Sequence, residues 1–311
     1  MQAGSTQNQN SADGPQPTMA QELNQRFAIG EQLKFELHPS GLVQGKISTD
    51  KCSGSFFLLG AHVAEFQPRS QSQPILFMSS EAVFEVGKPI RGGVPICFPW
   101  FGANKADANA PAHGLVRTAV WDVLESKLTP SGVLVTLGFH CGPFRISLTA
   151  VYGETLDVTL NVRNESAIET VCEVALHTYF QLGDARRASI VGLEQNEFRD
   201  QLTGQVHSPA GAKIQFIEET DRVYRGRVPL VTIEDSANSR CIEIVPRNSQ
   251  STVVWNPWVA KSQRMSDFGD NEFERMCCVE TANVAPHHLV IGAEQSESVG
   301  FEISASNKSR V

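Results

Sequence analysis

The segment Leu156-Asp-Val-Thr-Leu-Asn-Val-Arg163 alternates without a break. It places Leu156, Val158, Leu160 and Val162 on one side and Asp157, Thr159, Asn161 and Arg163 on the other. Only an extended chain has a side-chain period of two, so this stretch reads as a strand with one face on a core and one toward water, closed by a turn at Asn164-Glu-Ser166. Shorter runs of the same kind occur at 34–38, 55–59, 75–78, 132–139, 146–152, 170–179, 230–234, 241–245, 252–255 and 297–303, separated by clusters of Gly, Pro, Asn and Asp. Helical spacing is weak, with short pieces expected around 20–26 and 79–85. Many short strands punctuated by turns predict an all-β fold, a sandwich of large antiparallel sheets.

Bulk properties narrow the partners. The 311 residues are 41% hydrophobic, enough for a large core, and no linker or repeat interrupts the middle of the chain. Residues 1–24, rich in Gln, Asn, Ser, Gly and Pro, read as a disordered tail, and 25–311 as a single domain. The net charge of −8 argues against a nucleic-acid surface, which is normally basic. No apolar run approaches the roughly 18 residues of a membrane span. Seven cysteines, an odd number with no paired CxxC motifs, read as free thiols in a reducing compartment, so a cytoplasmic location is expected; a monomer is expected as well.

The stretch Arg91-Gly-Gly-Val-Pro-Ile-Cys-Phe-Pro-Trp-Phe-Gly102, followed by His113-Gly-Leu-Val-Arg117, sets two guanidinium groups and an imidazole among glycines, prolines and aromatics. Pro95 and Pro99 remove backbone donors, which excludes a helix or central strand, and the glycines permit close approaches. A stiff aromatic loop bearing arginines suits the wall of a pocket for a polar anion. A buried crossover with Arg91 on a local carboxylate is the plainer alternative.

Three further residues carry possible chemistry. His177, in Glu169-Thr-Val-Cys-Glu-Val-Ala-Leu-His-Thr-Tyr-Phe180, falls on the strand side opposite Cys172, Val174 and Leu176, where it can look into a cleft or simply bond a surface neighbour. Glu280, in Phe273-Glu-Arg-Met-Cys-Cys-Val-Glu-Thr-Ala-Asn283, closes an apolar strand; desolvation there would raise its pKa, though a strand-end carboxylate paired with an arginine is common. Asp221, in Glu219-Thr-Asp-Arg-Val-Tyr224, can accept sugar hydroxyls or cap a turn. Lys88 and Lys105 can add positive field, and Asn256-Pro-Trp258 reads as a turn delivering an aromatic to a pocket rim. His287-His288 and Cys277-Cys278 are neighbours that point to opposite faces and make no chelate.

In order along the chain, these blocks resemble the hexose-6-phosphate mutarotases of the aldose 1-epimerase, galactose mutarotase-like group. The resemblance rests on Gly60-Ala-His62, Pro89–Gly102, His113–Arg117, Leu176–Phe180, Glu219–Tyr224, Val254–Trp258 and Cys278–Thr281, and spans about 30–305. It implies a β-supersandwich and interconversion of the α and β anomers of a phosphorylated aldohexose. It assigns His177 as acid and Glu280 as base, with Arg91, Arg117, Asp221 and His113 binding substrate. Ala112 departs from the family, which can carry a substrate-contacting glutamine there. Ring opening needs two proton transfers and no redox step, so no cofactor or metal is implied. A non-catalytic carbohydrate-binding protein, or a hydrolase or lyase on a related sandwich, are the competing readings.

Overall fold

The computed structural model describes residues 18–308. Its elements are almost all antiparallel strands in three main sheets and one two-stranded ribbon. A nine-stranded sheet runs in the order Ile214–Gln215, Ala188–Val191, Val231–Asp235, Arg240–Arg247, Ser296–Asn307, Leu156–Asn164, Phe144–Gly153, Gly132–Cys141 and Asp122–Leu128. Here the period-two reading holds: Leu156, Val158, Leu160 and Val162 are fully buried, while Asn161 and Arg163 are exposed. Each such side chain withdrawn from water favours folding by about 1.5–3 kcal/mol before chain entropy is counted.

An eight-stranded sheet supplies the second large layer. Its path runs from Val206–His207 through Phe198–Asp200, Thr220–Arg225, Ser251–Asn256, Met276–Asn283 and Val174–Leu176 to Ile96–Cys97, with Tyr179–Gln181 also pairing to Met276–Asn283. A four-stranded meander, Leu33–Leu37, Val43–Ser48, Cys52–Phe57 and His62–Pro68, packs beside them. One apolar cluster joins all three sheets through residues such as Phe56, Leu148, Val158, Leu176, Val279 and Ile303. Cys277 joins that core and Cys278 a separate cluster on the opposite face, as neighbours on a strand must.

Several boundaries differ from the sequence reading. A helix, Met19–Phe27, begins inside the segment read as tail. Thr18 and Gln21 form a reciprocal capping box, and the Asn24 side chain bonds the Phe35 backbone in both directions (2.6 and 2.8 Å), which orders residues 18–24. Residues 1–17 lie outside the described residues. No helix forms at 79–85; the Ser79 hydroxyl accepts from Glu81 N–H and diverts that backbone into a turn. Residues 75–78 make only isolated bridges. The run 170–179 is broken into Thr170–Cys172, Val174–Leu176 and a strand starting at Tyr179. Glu280 is not at a strand end, because Met276–Asn283 continues for three residues beyond it and is buried on both faces.

Among the described residues no helix is long and apolar enough to cross a membrane.

Candidate active site

The site follows from strand register. Leu176 pairs with Thr281 and Tyr179 with Cys278. Carried through the two residues between, the same antiparallel register sets His177 opposite Glu280. The next ladders put Trp255 opposite Cys278 and Asp221 opposite Trp255. Direct cross-strand partners share a face, so Asp221, Trp255, Tyr179, His177 and Glu280 all project from the same side of the eight-stranded sheet, away from the main core.

There all of them except the buried Tyr179 border a cleft of about 340 Å³, also lined by Arg91, Phe101, Gly102 and His113. A larger groove of about 670 Å³ lies on the nine-stranded sheet around Gly138, Ser147 and Asn161. It is the outward face of that sheet and lacks a buried acid–base pair, so the smaller cleft is the candidate site.

The loop 91–102 is the cleft wall. Its Ile96–Cys97 is an edge strand of two residues beside Val174–Leu176. A Cβ at Gly93, whose φ is +56°, would come within 2.3 Å of the Val63 carbonyl oxygen, so only glycine lets this loop lie so close to the meander. His177 N–H donates to the Pro95 carbonyl (2.9 Å), which ties the imidazole's backbone to the same loop.

His177 Nε2 lies 3.4 Å from Glu280 Oε1, with side-chain exposures of 10% and 1%. Burial pushes the Glu280 carboxyl well above its ordinary value; Asp221 adds to this and Arg117 opposes it. Burial likewise pushes the His177 imidazole well down, helped by His113, Arg91 and Arg117. Both shifts act toward the neutral forms, a carboxylic acid and an unprotonated imidazole. Glu280 Oε2 and His177 Nδ1 have no protein partner among the described residues.

His113 plays a different part. The Gly102 N–H donates to its Nδ1 at 3.3 Å, so Nδ1 is the acceptor and Nε2 carries the hydrogen. Burial, with Arg117, Arg91 and Lys261 nearby, pushes its pKa to about 3, which makes it a neutral hydrogen-bond donor across physiological pH. Its ring meets His177 edge to face at 6.0 Å.

Asp221 sits 3.8 Å from Lys261 Nζ. Burial lifts its carboxyl to about 6, against the pull of that lysine and with a push from Glu219 and Asp200.

The two arginines differ. Arg91 borders the cleft but is not free: it forms an ion pair with Asp267 (3.0 Å) and donates to Tyr179 Oη (2.9 Å). Arg117 donates Nη2 to the Ala112 carbonyl, has no carboxylate within ion-pair distance among the described residues, and buries an unpartnered Nε.

Sequence reasoning missed Lys261, Gln201 and Met265, which border the cleft, and Asp267, which holds Arg91. It looked to Trp258 for the rim aromatic, but Trp255 takes that place. Trp258 starts a short helix and packs on Phe273 instead. Alternation from Glu280 through its neighbours would have found Trp255 had the register been known. Lys88 pairs with Glu85, both exposed. Among the described residues no group of three or more His, Cys, Asp or Glu side chains is arranged to hold a metal ion.

An antiparallel supersandwich with an imidazole and a carboxyl facing one sugar-sized cleft defines the mutarotase class. The aldose 1-epimerase family model matches residues 46–304, and the chain belongs to that family. An Escherichia coli relative provisionally named a glucose-6-phosphate 1-epimerase is 34% identical over 238 residues, covering 73% of this chain and 79% of its own. A Cenchrus ciliaris relative with the same provisional name is 29% identical over 266 residues, covering 79% and 80%. The crystal structure of a provisionally assigned mutarotase from Salmonella typhimurium superposes with a TM-score of 0.84 at 26% identity, covering 91% of this chain and 96% of that one.

Proposed function

We propose that this chain interconverts the α and β anomers of a hexose 6-phosphate by opening and reclosing the sugar ring. The observation that carries the reading is the His177–Glu280 contact of 3.4 Å, buried at the cleft. Opening requires a proton placed on the ring oxygen as the C1–O5 bond breaks, and one taken from the anomeric hydroxyl as C1 becomes an aldehyde. One partner gives and the other takes, so the pair still holds one proton afterwards, with roles exchanged. Rotation about C1–C2 and reclosure on the other face complete the cycle. Each positioned transfer typically contributes about 10²–10⁴-fold.

Binding draws on the cleft lining and on Arg117, which lies outside that lining. Asp221 accepts sugar hydroxyls, His113 Nε2–H donates to a sugar oxygen, and Trp255 offers an apolar face. A phosphate dianion is best held by an uncompensated guanidinium, and Arg117 is the one without a carboxylate partner among the described residues. The provisional names of the E. coli and C. ciliaris relatives point to the same substrate. Seven free thiols suit a reducing compartment such as the cytoplasm.

The test is anomer exchange followed by NMR on anomerically pure glucose 6-phosphate. Wild type should accelerate exchange, whereas His177→Asn and Glu280→Gln should each lower kcat by at least 10²-fold. Rates equal to buffer for wild type would leave a carbohydrate-binding protein; release of reducing sugar from oligosaccharides would indicate a hydrolase. The pair is competent only with one proton. Competence is lost at low pH when imidazole, pushed below 6.5, gains a second, and at high pH when the carboxyl, pushed above 4.5, loses its own. On free glucose, kcat/KM should therefore show a flat plateau across neutrality.

A further inference from the structure

The arginine that borders the cleft is held in an unusual way. Arg91 Nε and Nη2 both donate to Asp267 Oδ2, at 3.2 and 3.0 Å, which uses the side of the guanidinium best shaped to grip a phosphate. Nη1 donates to Tyr179 Oη at 2.9 Å. The buried Tyr179 ring in turn lies flat against the His177 imidazole, with centroids 4.8 Å apart and planes 10° from parallel. A continuous chain of contacts thus runs from Asp267 to the acid–base pair.

Asp267 is itself fixed. The next residue, Phe268, is buried against Phe77 (centroids 5.8 Å apart), within the cluster that holds Tyr179. Gly269 N–H donates to Glu272 Oε2 at 2.9 Å, and Glu272 Oε1 accepts from Ser80 N–H at 2.8 Å. The loop carrying Asp267 is therefore pinned from both sides, and the carboxylate is only 20% exposed.

We propose that Asp267 is a positioning residue: through Arg91 and Tyr179 it fixes the plane and the electrical surroundings of the His177 imidazole. Arg91 then serves proton transfer, while phosphate falls to Arg117. This rests on the anomer-exchange reading for its kinetic consequence, but the placement of His177 can be read without turnover. The charged and titratable groups that act on His177 are Glu280 at 3.4 Å, His113 at 6.0 Å between ring centroids, the stacked Tyr179, and the guanidiniums of Arg91 and Arg117. Asp267 balances the Arg91 charge. Without it the imidazole faces a bare cation and becomes harder to protonate.

The experiment pairs kinetics with NMR of the histidine rings in the full chain. Asp267→Asn should lower kcat about 10- to 100-fold alike for glucose 6-phosphate and free glucose, with KM for the phosphosugar little changed. The His177 ring resonances should move, and the acid limb of the pH profile should fall to lower pH. Asp267→Glu, which keeps the charge, should return that limb toward wild type. Tyr179→Phe cuts the hydroxyl link but keeps the stack; it should act in the same direction and carries the test if Asp267→Asn does not fold. An unchanged kcat and ring spectrum, or a loss confined to KM for the phosphosugar, would overturn the proposal. A wild type without anomer exchange would sink the proposed function instead, while the ring titration would still judge Asp267.

Discussion

The nine-stranded and eight-stranded sheets are built from the same antiparallel ladder yet behave as different materials. In the first, Leu156–Asn164 alternates buried and accessible residues along its whole length. In the second, Met276–Asn283 is buried on both faces, its partner is interrupted around His177, and one of its buried groups is a carboxyl. The regular sheet meets no conflict between local pattern and global fold. The irregular one accepts a buried acid, which the proposed proton transfer would use in a site where water does not compete. On the proposed function, stability and activity would be carried largely by different sheets.

The largest expected effect would confirm that division. Glu280→Gln should abolish most anomer exchange, at least about 10²-fold, while the melting temperature stays the same or rises, since a neutral amide replaces a desolvated acid. A melting temperature several degrees lower would show that Glu280 is a structural pin as well. The converse substitution is Leu160→Ala in the nine-stranded sheet. It should cost about 2–5 kcal/mol by denaturant unfolding and leave kcat intact in the folded fraction.

A smaller effect sharpens the contrast between the two arginines. Arg117→Ala should raise KM for glucose 6-phosphate by about 10- to 100-fold, the loss of charge-assisted bonds worth roughly 1.5–3 kcal/mol, with free glucose unaffected. An equal loss with both sugars would remove the phosphate role. The smallest effect concerns Asp221. Its carboxyl is raised from 3.8 to about 6, so protonation favours the folded state; that contribution is complete below pH 3.8 and lost as pH rises through about 6. Asp221→Asn should therefore be more stable than wild type at pH 8, by roughly 1–2 kcal/mol after allowance for solvent, with the gap closing near pH 4.

Strand content was legible because a period of two needs no knowledge of partners: Leu156–Val162 announce themselves. The family's histidine and glutamate were legible because their neighbours repeat a known ordered set of blocks. What the chain hid was register. Nothing local says that His177 faces Glu280, or that Trp255 rather than Trp258 reaches the cleft; both follow from ladders between distant segments. Asp267 was invisible for the same reason, being joined to Arg91 across 176 positions. The helix at Met19–Phe27 was foreseen in part but placed in a tail, because its stabilising contact, Asn24 on Phe35, lies outside the helix. The Ser79 turn shows the opposite failure, a local hydroxyl overruling a faint helical pattern.

Because the ribbon bearing Glu280 has protein on both sides and a hydrogen-bonded strand at each edge, it offers no route for fraying. Deuterium should enter its amides only when the whole sandwich opens. On that account no half-open state should retain the Glu280 carboxyl in place, and heat should extinguish the proposed turnover in step with cooperative melting rather than ahead of it.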